Sequence, residues 1–180
     1  MTPRRIKPTR NTKTTILIVG EGPTDKAFLQ YLKELYVARD FDCAVKVECG
    51  SGGSPCCVVQ KAIRLRGSRA YDKCYVLFDA DRPLETDYKL SDRMKKRPRV
   101  EILTATPCIE GLFLAILGHP GFSQASATSD NCKRDFHTEY ISEEKKMDKR
   151  SYVAKFPKTM LDGRRAQVSE LDLILKAMQV

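Results

Sequence analysis

The chain has 180 residues, of which 42% are hydrophobic and 31% are charged. This length and balance exclude a disordered or fibrous protein and fit a single globular domain with a substantial core. The formal net charge of +9 at pH 7 lies partly in basic clusters, which suit a polyanionic partner such as nucleic acid.

The seven cysteines form no C-x-x-C pair, which excludes the usual zinc-binding and redox motifs. Several of them flank or occupy apolar runs, as small core residues do. We therefore expect reduced thiols and a cytoplasmic protein rather than a secreted one with disulfides. The apolar runs are too short to cross a bilayer, so we expect no membrane segment.

The first predicted elements are a basic arm, a strand and a helix. Residues 1–14 are polar and basic and predict a flexible arm. The apolar run over residues 15–20 predicts a strand buried on both faces of a parallel sheet. Thr24 is a good N-cap, and the apolar spacing behind it predicts a helix over residues 25–38. Glu21 stands between strand and helix, flanked by glycines that allow a tight turn.

Strands and helices continue to alternate along the chain. Three further strands are predicted from apolar runs, at residues 44–49, 73–78 and 99–105. Three helices are predicted between and after these strands, at residues 55–65, 84–96 and 108–117. This alternation is typical of a parallel sheet with right-handed crossovers. We predict an α/β, Rossmann-like core over residues 15–120, with four mostly parallel strands flanked by helices.

Residues 121–180 are predicted to be a loop and a helical C-terminal extension of the same domain. Residues 118–135 are rich in Gly, Ser, Ala, Thr and Asn and predict a loop. The strongly charged residues 135–150 are predicted to be helical. The spacing of apolar residues over 168–178 predicts a final amphipathic helix.

Acidic residues follow two of the predicted strands: Glu21 follows the first, and Asp79 and Asp81 follow the third. Ligand sites in open α/β sheets gather at the carboxyl ends of strands, so we expect these side chains to meet. Alternate residues of an extended segment point to one side, which would direct Asp79 and Asp81 at one metal. Bound Mg²⁺ or Mn²⁺ can activate water and neutralise charge on a phosphodiester. An acid after a strand also often caps a helix, so only the combination points to a site.

Two segments resemble the motifs of TOPRIM domains. Residues 16–33 (ILIVGEGPTDKAFLQYLK) look like the opening strand, the E-G-x-T-E/D motif and its helix, and residues 75–83 (YVLFDADRP) look like the D-x-D motif. TOPRIM domains occur in primases, topoisomerases and overcoming-lysogenization-defect type nucleases. The resemblance implies a TOPRIM-like fold and metal-dependent chemistry on nucleic acid, with Asp79 and Asp81 as metal ligands and Glu21 as a ligand or general base.

Within that group the chain most resembles the RloB-like family, which is associated with bacterial phage-defence and restriction loci. The family's N-P-x-F-E-x-W-L-L-x-H segment has its counterpart in residues 106–114, with His119 near the expected histidine. Glu110 is thereby implied as a catalytic residue, and an acid there also complements the helix dipole. A downstream Tyr-x-x-Lys matches Tyr152 and Lys155.

The combined prediction is a Mg²⁺- or Mn²⁺-dependent nuclease in bacterial phage defence. Its expected partners are DNA or RNA and an ATPase or another defence-system protein. Basic side chains are expected to hold the nucleic-acid backbone, namely Lys95, Lys96, Arg97 and Lys155. The alternative is a non-catalytic basic nucleic-acid-binding or scaffold subunit of a defence complex, which would bind without metal. The D-x-D also matches haloacid-dehalogenase phosphatases and glycosyltransferases, but neither class explains Glu21.

Overall fold

The computed structural model describes residues 13–38, 41–50 and 53–180. The predicted basic arm lies outside the described residues except for its last two, and Thr14 already belongs to the first strand. Part of the Gly/Ser-rich segment before the second helix also lies outside them.

Four parallel strands form one sheet in the order β2-β1-β3-β4. Their bounds are β1 Thr14–Gly20, β2 Cys43–Cys49, β3 Lys73–Asp79 and β4 Val100–Ala105. The two central strands, β1 and β3, pair directly with each other, so their carboxyl ends lie side by side at one edge of the sheet. The predicted α/β class, with a parallel four-stranded sheet flanked by helices, is confirmed.

Four helices cover the two faces of this sheet, namely α1 Pro23–Tyr36, α2 Pro55–Ser68, α3 Tyr88–Lys95 and α4 Ile109–Leu117. Alternate residues of β1 point to opposite faces, as the pleat of a strand requires. Ile16 and Ile18 pack with α1 and α4, whereas Leu17 and Val19 pack with α2 and α3. All four side chains are fully buried, which explains why β1 is continuously apolar.

The C-terminal part is helical, as predicted, but its elements differ from the prediction. They are α5 Ser129–Glu139, a short 3-10 helix Glu143–Lys145, α6 Arg150–Val153, α7 Lys158–Arg164 and α8 Ser169–Ala177. The predicted loop over 118–135 is wrong from Ser129 onward, because α5 begins there. The hydroxyl of Thr128 caps α5 by accepting a hydrogen bond from the Asn131 amide, and Cys132 and Phe136 bury one side of it.

Buried aromatic rings join this C-terminal part to the sheet. The Phe28 ring of α1 lies 4.7 Å from the Phe113 ring of α4 and 5.6 Å from the Phe156 ring. Tyr152 also packs against Phe28, with 5.5 Å between the ring centroids. The Tyr31 hydroxyl donates a hydrogen bond to the Phe156 carbonyl. The C-terminal helices therefore share one core with α1 and α4.

Within the described residues, we find no helix with the length and apolar character needed to cross a membrane.

Candidate active site

The two predicted acidic segments meet at the carboxyl edge of the sheet. Glu21 directly follows β1, and Asp79 is the last residue of β3. The Glu21 carboxylate Oε2 accepts a hydrogen bond of 3.2 Å from the Asp79 backbone N–H. Both side chains are half-buried, so they stand where the ends of two central strands open to solvent.

A third carboxylate, Asp25, lies beneath this pair in the first turn of α1. It is 5% exposed, and its Oδ2 accepts a hydrogen bond of 2.9 Å from the Gly22 backbone N–H. The end of β1 approaches it so closely that a Cβ added to Gly20 would stand 2.6 Å from the Asp25 Cβ. Glycine at position 20 is therefore what allows the helix to start directly under the strand end. Asp25 was not among the predicted site residues, although it fills the acidic position of the E-G-x-T-E/D motif.

The fourth carboxylate, Glu110, comes from the first turn of α4 and is 4% exposed. The N-terminus of α4 is fastened to the strand end, because the Ile109 backbone N–H donates a hydrogen bond of 2.9 Å to the Asp79 Oδ1. Gly111 permits this start, since a Cβ there would lie 2.8 Å from the Thr106 carbonyl oxygen. Glu110, predicted from the family resemblance, thus faces the same group of acids.

These carboxylates form one electrostatic group. Burial, together with the negative charges of Asp25, Glu21 and Glu110, raises the pKa of Asp79 to about 8, against the opposing hydrogen bond from the Ile109 amide. Burial likewise raises the pKa of Asp25 to about 7, opposed by its hydrogen bond from Gly22 and assisted by Glu21 and Glu110. Like charges this close cannot all ionise without a counter-charge. A cation bound among them would remove that repulsion.

The oxygen atoms of these carboxylates differ in whether they have a hydrogen-bond partner. Backbone N–H groups hold one oxygen each of Glu21, Asp25 and Asp79. By contrast, Asp25 Oδ1 and Glu110 Oε2 are buried without a hydrogen-bond partner. Such unpaired polar atoms are rare in folded proteins, and a bound cation is one way to satisfy them.

The donor set fits a hard divalent cation, because it consists of carboxylate oxygens. Among the described residues, no cluster of three or more His, Cys, Asp or Glu side chains is already assembled as a metal cage. Mg²⁺ commonly needs only one or two carboxylates and keeps several waters, so half-buried Glu21 and Asp79 satisfy this requirement.

His137, which was not among the predicted site residues, lies beside Glu110. The His137 Nε2 is 3.5 Å from the Glu110 Oε1 and is otherwise buried without a partner. Its Nδ1 donates a hydrogen bond of 2.8 Å to the Ile141 carbonyl, which fixes the ring. His119, the histidine that the family pattern suggested, instead has its Nδ1 3.0 Å from the Tyr140 hydroxyl. No motif marks His137, since its place depends on where α5 packs.

Asp79 and Asp81 were predicted to lie on one extended segment, but Asp81 lies beyond the end of the strand. The strand ends at Asp79, and Ala80 and Asp81 form a turn, so side-chain alternation stops there. The exposed Asp81 carboxylate accepts a hydrogen bond from the Ser129 hydroxyl at the start of α5. Asp81 therefore lies at the rim of the site rather than among the four converging acids, and its metal-ligand role stays a prediction.

The predicted backbone-binding cations do not surround the carboxylates. Lys95 ends α3, and Lys96 and Arg97 follow it. This helix runs back to the amino edge of the sheet, about 20 Å from the carboxyl edge for strands of this length. The Lys155 ammonium lies 6.0 Å from the centroid of the Tyr140 ring. Of the Tyr-x-x-Lys motif, Tyr152 is the residue that interacts with the carboxylates. Burial raises the pKa of Tyr152, and the negative charges of Glu110 and Asp25 add to this rise.

Comparison with known proteins gives one family. A family model described as RloB-like protein matches residues 16–177, which include all four converging carboxylates. No curated protein and no solved structure matches the chain. A match over most of the sequence shows that this chain belongs to the RloB-like protein family.

Proposed function

We propose that this protein is a divalent-metal-dependent nuclease that cleaves phosphodiester bonds in nucleic acid. The observation that carries the proposal is the convergence of four carboxylates at the carboxyl edge, two of them with buried and unpaired oxygens. Such a group is unfavourable by itself and becomes favourable around a hard cation. The resemblance to TOPRIM nucleases supports the same reaction class.

When bound, Mg²⁺ or Mn²⁺ supplies Lewis acidity at the phosphate and lowers the pKa of a coordinated water. Asp79 would hold the ion, because it combines an anchored oxygen with access to solvent, and Glu21 would act either as a second ligand or as the general base. Asp25 and Glu110 lie deeper and keep the site strongly negative. Asp81 at the rim would join them after releasing Ser129.

Glu21 is the best-placed proton acceptor of the group. It is half-buried at the opening, and the Asp79 N–H holds its Oε2. A carboxylate fixed in this way can take a proton from an attacking water within hydrogen-bond reach. The backbone N–H groups that hold Glu21, Asp25 and Asp79 keep the acids oriented before substrate arrives.

The family's association with phage-defence loci supports a defence role, with an ATPase or another defence-system protein as partner. The chemistry proposed at the carboxylates does not depend on such a partner.

The test uses labelled single- and double-stranded DNA and RNA with Mg²⁺, Mn²⁺ or EDTA. Wild-type protein is compared with Glu21→Gln and with Glu144→Gln, a matched change at an exposed glutamate of the 3-10 helix. We expect metal-dependent cuts by wild type and Glu144→Gln, and a loss of at least about 100-fold in Glu21→Gln. Metal-independent binding without cuts would favour the non-catalytic alternative.

A further inference from the structure

A groove runs along the outer edge of the sheet, between α3 and β4. β4 is an edge strand that pairs with β3 alone among the described strands. The groove has a volume of about 580 Å³ and is lined by residues of α3, of β4 and of the segment before α3. Its floor includes Ile102, which is 43% exposed although it belongs to a strand.

The groove lies between the segment that follows the acidic motif and the basic run. Leu84 and Thr86 line it shortly after Asp79 and Asp81, at the carboxyl edge. Because α3 runs antiparallel to the strands, Lys95 and Arg99 line it at the amino edge. On β4 the groove is lined by Val100, Glu101 and Ile102, so a strand held there would run on past the groove to reach the carboxyl edge. The whole of β4 is about 20 Å long, or about six nucleotides at the roughly 3.4 Å spacing of a stacked strand.

The charge at the amino end is predominantly positive. Besides Lys95 and Arg99, the side chains of Arg93, Lys96 and Arg97 are exposed there. Two acids offset part of this charge: Glu101 lines the groove, and Asp92 pairs with Lys96 at 3.6 Å. The surplus of cations fits the phosphates of a nucleic-acid backbone.

The half-buried Arg66 side chain holds this basic end in place. The Arg66 guanidinium of α2 donates hydrogen bonds to three backbone carbonyls, those of Arg93 at 3.0 Å, Lys96 at 2.9 Å and Pro98 at 2.7 Å. The segment between α3 and β4 is thereby fastened to α2. Cations held on a fixed backbone lose less entropy when they bind a ligand.

The carboxyl end of the groove offers an exposed aromatic ring. Tyr88 opens α3 and is 87% exposed. It lies three residues before Ser91 and seven before Lys95, so helical spacing places it on the face of α3 that lines the groove. Exposed aromatic rings beside cations are how proteins stack the bases of single strands.

We propose that a single strand of nucleic acid lies in this groove, with its phosphates on Lys95 and Arg99 and a base on Tyr88. Its far end reaches the carboxylate cluster, and in this respect the inference rests on the proposed function. Lys95, one of the predicted backbone-binding residues, and Arg99 then act as a remote anchor, which selects substrates that extend about six nucleotides from the cut.

The test measures binding of a labelled ten-nucleotide single strand in EDTA, so the groove is tested whether or not the protein cuts. Lys95→Ala/Arg99→Ala is compared with Lys133→Ala/Arg150→Ala, a matched pair of exposed cations on α5 and α6. Losing two phosphate contacts should lower the slope of log affinity against log salt by about 1.4 and weaken binding about 25-fold at 0.1 M salt. Tyr88→Ala should weaken binding about fivefold or more without changing the slope.

Equal affinity and slope in the two double variants would overturn the inference. Binding of an extended peptide to β4 in place of the oligonucleotide would overturn it as well. The proposed function fails separately, by absence of metal-dependent cleavage in wild type.

Discussion

At the scale of single residues, the carboxylate group sets how stability depends on pH. Asp25 and Asp79 have pKa values of about 7 and about 8 in the fold, against an ordinary 3.8. Above pH 4 the folded chain therefore retains protons that the unfolded chain has lost. Without metal, the free energy of unfolding falls as the pH rises through this window, by about 1.4 kcal/mol per pH unit for each such group.

We predict that metal-free protein is less stable at pH 8 than at pH 5, and that Asp25→Asn reduces this difference. Denaturant midpoints in EDTA at the two pH values measure it for both proteins. Added Mg²⁺ should stabilise the wild type more at pH 8, because the ion competes with protons for the same carboxylates. A wild-type stability that is unchanged or greater at pH 8 would contradict the assigned pKa directions.

His137 belongs to the same scale. Its ring lies 3.5 Å from Glu110, and its other nitrogen is fixed by Ile141. Side chains that orient the carboxylates of a metal site typically contribute roughly 10- to 100-fold to metal affinity. We predict that His137→Ala weakens Mg²⁺ binding by about this factor, measured by calorimetry without nucleic acid. His119→Ala is the matched control and should bind Mg²⁺ as wild type does; equal affinity in the two variants would refute the role of His137.

At the scale of elements, the strands were predicted within about one residue at each end, whereas several helices were not. A strand buried on both faces needs an unbroken apolar run, which is visible in any window of sequence. Helix starts depend on local caps instead. The Asp87 side chain accepts a hydrogen bond of 2.7 Å from the Leu90 amide, so α3 begins at Tyr88 rather than at residue 84. The early start of α5 depends in the same way on Thr128.

The start of α4 gives a test at this scale. In Gly111→Ala the new Cβ would meet the Thr106 carbonyl at 2.8 Å and the Pro107 side chain at 2.7 Å. Overpacking of this kind costs about 1–3 kcal/mol, and it should also weaken Mg²⁺ binding by displacing Glu110. Gly67→Ala in α2 meets nothing within 4 Å and should be neutral or stabilising. Chemical denaturation measures both variants, and equal stability would show that the approach of α4 is not tight.

At the scale of the whole molecule, the sequence predicts a basic protein with acidic motifs, but it does not predict how the basic and acidic residues are arranged in space. Strand order brings Glu21 and Asp79 together, because β1 and β3 are neighbours although α1, β2 and α2 separate them in the chain. The same topology carries Lys95, Lys96 and Arg97 to the opposite edge. His137 reaches Glu110 only through the packing of α5 on α4, which no local pattern encodes.

Asp79 ends β3, accepts a hydrogen bond from the Ile109 amide of α4 and lies among the other acids. The most direct measurement is therefore Mg²⁺-dependent cleavage of labelled nucleic acid by Asp79→Asn, beside wild type and the exposed control Asp130→Asn. We predict cleavage by wild type and by Asp130→Asn. In Asp79→Asn we predict a cleavage rate lower by at least about 100-fold, with folding unchanged. Cleavage by Asp79→Asn at the wild-type rate would contradict it.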